Sequence, residues 1–318
     1  MPFSENPPWL HRVVLASAAR RSGTSSQLYR SAARGAYERL AEGVYLPAST
    51  WATLGPDDRF LARIHGLVLS GRDDLVFSHT SAAALWRLPI IGSWPLLPEV
   101  TVGATPGGQT RRAYTSRKYP LPSELENIDG VLVTPLARTL VDVGRTSPMS
   151  VAVAMVDRVL AAKDDSEVGV RGICLSEAVL ATEVASVESK RGMRRCRTAI
   201  DFADGRSGSP GESLSRVAMH VAGLPRPELQ HPVYDGEGLI GITDFWWPEF
   251  GLAGEFDGHG KYLREDLRDG RSPAEVVIAE KVREDRMRAT GIGMVRWGWS
   301  VARSIPAITA HLRRAGLR

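Results

Sequence analysis

Between residues 197 and 211 the chain reads RTAIDFADGRSGSPG, and a stretch so dense in Gly, Ser, Asp and Pro marks a boundary between folded pieces. The length of 318 residues points the same way, since a single hydrophobic core stops growing before that size and chains divide into domains. No apolar run approaches the roughly 18 residues that a membrane span needs, so no membrane partner is expected. The opening MPFSENPPWLHRVVLASAAR has no basic segment before its short apolar run and no cleavage-site pattern, which argues against a secretory signal. Cys174 and Cys196 are too few for a disulfide scaffold and poorly arranged for a thiolate metal cluster, so a reduced, cytoplasmic location is the expectation.

The net charge of +4 suits a nucleic-acid partner and equally suits a soluble basic protein. Distribution matters more than the total. Residues 190–197 read KRGMRRCR, and Arg111, Arg112, Arg117 and Lys118 form a second group. Each cluster either contacts phosphate or forms a solvated face.

The first segment, residues 1–55, holds two short helices and a hairpin. HRVVLASAARR has apolar positions at Val13, Val14, Leu15 and Ala16 for the buried side of a helix, and GTSSQLYRSAARG has a cap at Ser25 or Ser26 and a stop at Gly35. AYERLAEGVYLPA then fits two strands, carrying Tyr37, Leu40, Val44 and Leu46, about a turn at Glu42–Gly43. Helix, turn, helix and a two-stranded wing is the order of a winged helix-turn-helix. In that fold the second helix enters the major groove and flanking arginines neutralise phosphates, which makes Gln27, Arg30, Arg34 and Arg39 the candidate DNA contacts. The alternative is a small helical packing module with ordinary surface arginines.

Residues 56–204 read as an α/β middle region. DRFLARIHGLVLS predicts a helix, LVFSHTSAAALWRLPI a strand and a helix, and PEVTVGAT another strand. VLVTPLARTLVDVGR predicts a strand that turns helical after Pro135, and MSVAVAMVDRVLA a strongly apolar helix. His79 lacks a matching base or nucleophile nearby and is read as satisfying hydrogen bonds near Ser78 and Thr80. Asp142 and Asp157 are read as capping or pairing residues.

Residues 205–318 give the order helix, three strands, helix, strand, an α+β arrangement with a mixed sheet. GESLSRVAMHVAGL supplies the first helix, PELQHPV, LIGITDFWW and GLAGEFDG the strands, a segment at about 273–289 the long helix, and GIGMVRWGW the last strand. Trp246, Trp247, Trp297 and Trp299 are expected at sheet edges as packing residues. Asp244 and Glu255 lie on strands joined by a tight turn, Asp257 follows Glu255 by two positions and shares its face, and Glu212 at the start of the preceding helix approaches from the side. Carboxylates beside strands are costly to bury without a cation or donor, and a hard divalent ion such as Mg²⁺ prefers oxygen ligands of this kind. Such an ion would activate water for phosphodiester hydrolysis, with Lys261 or Lys281 orienting it. His259 reads first as a turn histidine with no metal role, with phosphate contact or tuning of a carboxylate as the alternative. The competing structural reading makes Asp257–Gly258 a turn, Glu212 a cap and Asp244 a residue at a strand end.

The series SPGESLSRVAMHVAGLPRPELQ, TDFWWPE, GEFDGHGKY and EKVREDRMRATGIGMVRW resembles the nuclease-like domain related to very-short-patch repair endonucleases, within the PD-(D/E)XK or restriction-endonuclease-like superfamily. The resemblance implies Glu212 as the helix carboxylate, Asp244 as the central metal ligand and Glu255 as the acid of the return strand, with Mg²⁺ or Mn²⁺ bound. The superfamily places lysine two residues beyond that acid, where this chain has Asp257. That leaves the lysine position itself vacant, with Lys261 and Lys281 as the candidates for its role. SSQLYRSAARGAYERLAEGVYLP, SHTSAAALWRLP and TPLARTLVDVGR resemble actinobacterial proteins with a winged-helix domain of the abortive-infection type IV antitoxin class. Together these imply a multidomain α+β protein that binds double-stranded DNA and carries a metal-dependent endonuclease-like domain. The alternative is a transcriptional regulator or antitoxin whose nuclease fold is catalytically degenerate, with a cognate toxin or a second copy as a further partner.

Overall fold

The computed structural model describes residues 7–102, 113–161, 174–258 and 273–318. Its contacts divide the chain into two compact units, Met1–Ser147 with Val170–Ile200 and Pro148–Gly169 with Asp201–Arg318. Both mix helices with sheet, so the chain is a multidomain α+β protein.

The first unit begins with strand β1 (Val14–Leu15), helices α1 (Ala16–Arg21) and α2 (Ser25–Ala33), and the hairpin β2 (Tyr37–Ala41) and β3 (Val44–Pro47). The helix expected over HRVVLASAARR therefore starts late. Val14 and Leu15 pair antiparallel with Tyr45 and Val44 of β3, which suits β-branched Val14 better than a helix would. The hairpin thus gains a third strand, in the order β1-β3-β2. Ala16, Ala19, Leu28 and Tyr45 form the small core beneath the two helices. Gly35, just past α2, has φ +80°, the left-handed stop that its position predicts.

Helices α3 (Ala48–Thr53) and α4 (Pro56–Leu69) follow. Pro56 occupies the first turn of α4 with Asp57 and Asp58 beside it, a favourable helix start. Gly66 lets α4 lie directly on β2: a Cβ there would sit 2.7 Å from Leu40 Cβ. Next come β4 (Val76–Phe77), α5 (His79–Leu85), β5 (Glu99–Val102), β6 (Thr115–Lys118), β7 (Glu126–Ile128), β8 (Val131–Val133), α6 (Leu136–Thr146) and α7 (Met149–Leu160). The five strands form one mixed sheet, β6-β5-β4-β8-β7. Strands β6 and β7 were not anticipated, because TSRK and ENI carry no apolar alternation. Helices α8 (Glu177–Ser186) and α9 (Met193–Phe202) close on α6 through Val141, Val184, Val187, Met193 and Cys196.

Helix α7 belongs to the second unit, where it packs on α10 (Pro210–Val221). Buried Asp157 of α7 accepts from Ser213 Oγ at 2.7 Å, Arg216 Nη1 at 2.9 Å and the Asp204 amide at 2.7 Å. Burial pushes the Asp157 carboxyl above its usual range while these donors oppose the shift. Strands β9 (Glu228–Asp235), β10 (Gly238–Trp247), β11 (Leu252–Phe256) and β12 (Gly293–Trp297) form a sheet in the order β12-β11-β10-β9, with α11 (Pro273–Ala289) leading from β11 to β12. Pairing is antiparallel except between β11 and β12, so the sheet is mixed. Helices α12 (Trp299–Ala302) and α13 (Ile305–Arg314) end the chain. Phe245, Trp247 and Trp297 are buried and stacked on one face of the sheet, with Trp297 Nε1 donating to Ser215 Oγ of α10 at 2.9 Å. Trp246 and Trp299 are only half-buried, against His231 and Phe256.

His65 of α4 is buried against Trp9, and burial pushes its pKa down to about 4. The unfolded chain takes up a proton near pH 6.5 that the folded ring refuses until about pH 4, so this contribution is present above pH 6.5 and is lost as pH falls through that window. Its size is roughly 3 kcal/mol. His79 is shifted in the same direction by burial. Denaturant unfolding monitored for the first unit should weaken from pH 7 to pH 4.5, and His65→Gln should flatten the dependence by up to about one proton; an unchanged slope contradicts the assignment.

Candidate functional site

The candidate nucleic-acid residues are exposed on α2, its C-terminal cap and β2 of the first unit. Leu28 turns inward from α2, while Ser26, Gln27, Tyr29 and Arg30 face solvent, with Arg34 capping the helix and Arg39 exposed on β2. Arg30 Nε donates to the Ser26 carbonyl at 3.3 Å, one turn back, and Arg39 Nε donates to the Ala41 carbonyl at 3.3 Å. Both contacts hold the side chain near its backbone and leave the charge in place. Arg12, Arg20 and Arg21 are also exposed. None of these arginines has a carboxylate partner among the described residues, so their charges stand unneutralised.

The candidate metal residues lie in the second unit, and the fold treats them unequally. Phe245 pairs with Gly254, and continuing that register by one residue sets Asp244 across from Glu255. Asp244 Oδ2 accepts from the Phe256 amide at 2.7 Å. Glu255 is held by two guanidinium groups: Arg283 Nη2 of α11 donates to Oε1 at 2.7 Å, and Arg296 Nε of β12 lies 2.8 Å from Oε2. Arg296 is the direct register neighbour of Glu255 and also reaches Glu284 at 2.6 Å. Helix α11 is anchored over this face a second time, by a bidentate contact from Arg286 to Asp235 of β9 that holds this carboxyl down at about 2.

Glu212 is a helix cap. Its Oε1 accepts from Ser209 Oγ at 2.8 Å, its Oε2 from the Gly208 amide at 2.8 Å and from Gln230 Nε2 at 3.0 Å, and its own amide donates to Ser209 Oγ at 3.3 Å. Ser209 is the N-cap of α10, and Glu212 folds back on its hydroxyl and on the preceding Gly208 amide, a variant of the capping box. Asp257 follows the end of β11, its amide donating to the Trp297 carbonyl at 2.8 Å. Lys281 is exposed on α11, with no ion pair to these acids among the described residues. His259, Lys261, Arg111 and Arg112 lie outside the described residues.

Among the described residues no three His, Cys, Asp or Glu side chains form a group able to hold a metal ion. Glu212 has both oxygens hydrogen-bonded, and Glu255 has a guanidinium group beside each oxygen, so the described residues hold these two carboxylates with donors of the chain itself. Sequence reasoning missed Arg283, Arg296 and Gln230, the groups that occupy those oxygens. Arg296 could have been found only from the parallel register of β11 and β12, which no local pattern encodes. The pairing readings hold elsewhere: His79 Nδ1 lies 2.9 Å from Ser78 Oγ, and buried Asp142 accepts from Arg138 Nε at 3.1 Å.

No protein-family model matches the chain. It is 29% identical over 192 residues to uncharacterized proteins MT2308 and Rv2248 of two Mycobacterium tuberculosis strains, CDC 1551 / Oshkosh and ATCC 25618 / H37Rv. The match covers 60% of this chain and 60% of each relative. Among solved structures, the RV2827C protein of Mycobacterium tuberculosis is similar at a TM-score of 0.39 and 12% identity, over 67% of this chain and 82% of that one, a likeness too low to argue from.

A capping role and a metal-ligand role for Glu212 differ in their response to added cation. Glu212→Ala should destabilise the second unit by about 1–2 kcal/mol, from the lost cap and the stranded Gly208 and Gln230 donors. That difference, read as unfolding midpoints, should be the same with and without Mg²⁺. A gap that widens with Mg²⁺ would place a metal at this carboxylate.

Proposed function

We propose that this is a DNA-binding protein that docks on duplex DNA through its first unit, with α2 as the helix presented to the major groove. The carrying observation is the outer face of α2, where Gln27 and Arg30 stand exposed beside Arg34 and Arg39 with no acidic partner for the arginines among the described residues. The order α1, turn, α2, β2, β3, with β1 added to the hairpin, supports a winged helix-turn-helix reading of residues 1–55. In such a module Gln27 and Arg30 meet base edges while Arg34 and Arg39 neutralise phosphates on either side.

The second unit is read as a restriction-endonuclease-like fold. The succession α10, β9, β10, β11, α11, β12, with Asp244 and Glu255 on neighbouring antiparallel strands, supports that reading. Its chemistry favours a regulator over an active endonuclease. Arg283 and Arg296 neutralise Glu255 in the position where hydrolysis would need an open ligand, Glu212 is spent on its cap, and Asp257 stands where the superfamily has lysine. The carboxylates therefore serve to position α11 and β12 on the sheet. Endonuclease activity is the second reading, favoured by the opposed Asp244 and Glu255.

Fluorescence anisotropy on a duplex from upstream of the protein's own coding region tests the first claim. Arg30→Ala/Arg34→Ala should weaken binding tenfold or more and reduce the slope of log K against log salt by about 2. Wild-type affinity in that variant would reject the α2 interface. Incubation with duplex, single-stranded and mismatched DNA in Mg²⁺ or Mn²⁺ should leave all three uncut. Cleavage that disappears in Glu255→Gln and Asp244→Asn would establish the endonuclease reading instead.

A further inference from the structure

The first unit contains a cleft of about 740 Å³ whose lining includes Arg117, Lys118, Tyr119, Arg145, Arg191 and Arg195. Three separate parts of the chain build it: edge strand β6, the end of α6, and the turn leading into α9. Five of the lining side chains are cationic and none is acidic. The two basic clusters that the sequence keeps far apart, around residues 117–118 and 190–197, thus meet at one place.

The cations differ in how they are held. Arg145 is fixed and buried, its side chain only 1% exposed. Its Nε donates to the Arg191 carbonyl at 2.8 Å, its Nη2 to Ser189 Oγ at 2.9 Å, and its guanidinium lies 4.2 Å from the Tyr119 ring centre. Its Nη1 is buried without a hydrogen bond, the Asp142 carboxylate standing 3.6 Å away. Arg117 is tied to buried Glu99 through Nε at 2.8 Å. Lys118, Arg191 and Arg195 have no carboxylate partner among the described residues. Arg195 Nη2 donates to the Ser147 carbonyl at 2.9 Å, which restrains that guanidinium without neutralising it.

Backbone geometry adds to the field. Helix α9 begins beside the cleft with no acidic residue in its first turn, so its positive end is uncompensated. Gly192 has φ +77°, and a Cβ there would sit 2.5 Å from the Arg145 carbonyl, so only glycine lets this turn close on α6. A concave site with fixed guanidinium groups and further cations at its rim that lack carboxylate partners is built for a ligand with several negative charges.

The geometry points to this cleft as a binding site for phosphate groups, two or more carried on one ligand. Its volume falls in the range of about 300–1,000 Å³ typical of small-ligand pockets. Phosphates of a free phosphorylated compound and phosphates of a nucleic-acid backbone share the required chemistry. The site stands apart from the α2 interface and does not rest on it.

Calorimetric titration of the full chain with inorganic pyrophosphate, alongside duplex-binding measurements, tests the assignment. Lys118→Ala/Arg195→Ala removes two rim charges without touching the buried core. Arg313→Ala/Arg314→Ala removes two exposed charges from α13 as a control for net charge. Wild type should bind pyrophosphate saturably, the cleft variant at least tenfold more weakly, and the control as wild type. Gln27→Ala/Arg30→Ala should keep pyrophosphate binding whatever it does to DNA. Duplex affinity lost in the cleft variant, with displacement of duplex by pyrophosphate, assigns the site to backbone phosphate. Duplex affinity retained beside the pyrophosphate defect assigns it to a free phosphorylated compound. Equal binding of both ligands by cleft variant and wild type, no binding of pyrophosphate with unchanged duplex affinity, or an equal loss in the control variant overturns the proposal.

Discussion

A carboxylate withdrawn from water needs donors, and in each unit this requirement decides which elements are locked together. In the second unit Asp157 gathers Ser213, Arg216 and the Asp204 amide, so α7, α10 and the segment before α10 converge on one buried side chain. In the first unit Asp142 fastens Arg138 and stands beside Arg145, and Glu99 receives Arg117 and Thr80. Removing one partner of such a set leaves an uncompensated charge behind, so each set is fixed more firmly than its net stabilisation suggests.

The same requirement bears on the carboxylates that invite a metal. An acid placed for Mg²⁺ must keep lone pairs open, and an acid placed for architecture has them filled. Glu255 has an arginine from α11 on one oxygen and an arginine from β12 beside the other. Helix α11 therefore reaches the sheet through charge as well as through buried Met287, which packs against Val233 and Ile240. Held in this way, the carboxylate ties the helix and the strand to the sheet. The first unit shows the opposite economy, with arginines along α2 and around the cleft left without carboxylates.

Much of the fold was readable where the signal is local. The limits of α11, the hairpin turn at Glu42–Gly43, the stop at Gly35 and the capping alternative for Glu212 all follow from residues near one another in sequence. Strands β6 and β7 were not, because Thr115–Lys118 and Glu126–Ile128 are polar and owe their conformation to neighbours in the sheet. The start of α1 was misplaced because Val14 and Leu15 answer to β3, thirty positions along the chain by register. Asp244 and Glu255 could be placed on adjacent strands from the turn between them. Arg296 could not be placed beside Glu255, since a parallel pairing across α11 leaves no imprint on either segment.

Asp244 has a consequence of its own. The β10–β11 ladder runs through Trp247↔Leu252 to Phe245↔Gly254, and just beyond it the Asp244 carboxylate takes the Phe256 amide. A side chain has replaced the backbone as the acceptor, so this residue sets where the two strands part. Its charge and its geometry are inseparable: any replacement that loses the acceptor alters the opening between the strands along with the electrostatics. The position is a spacer as much as an acid, and evolution of chemistry on this sheet would have to work through a residue that the sheet already uses as its clasp.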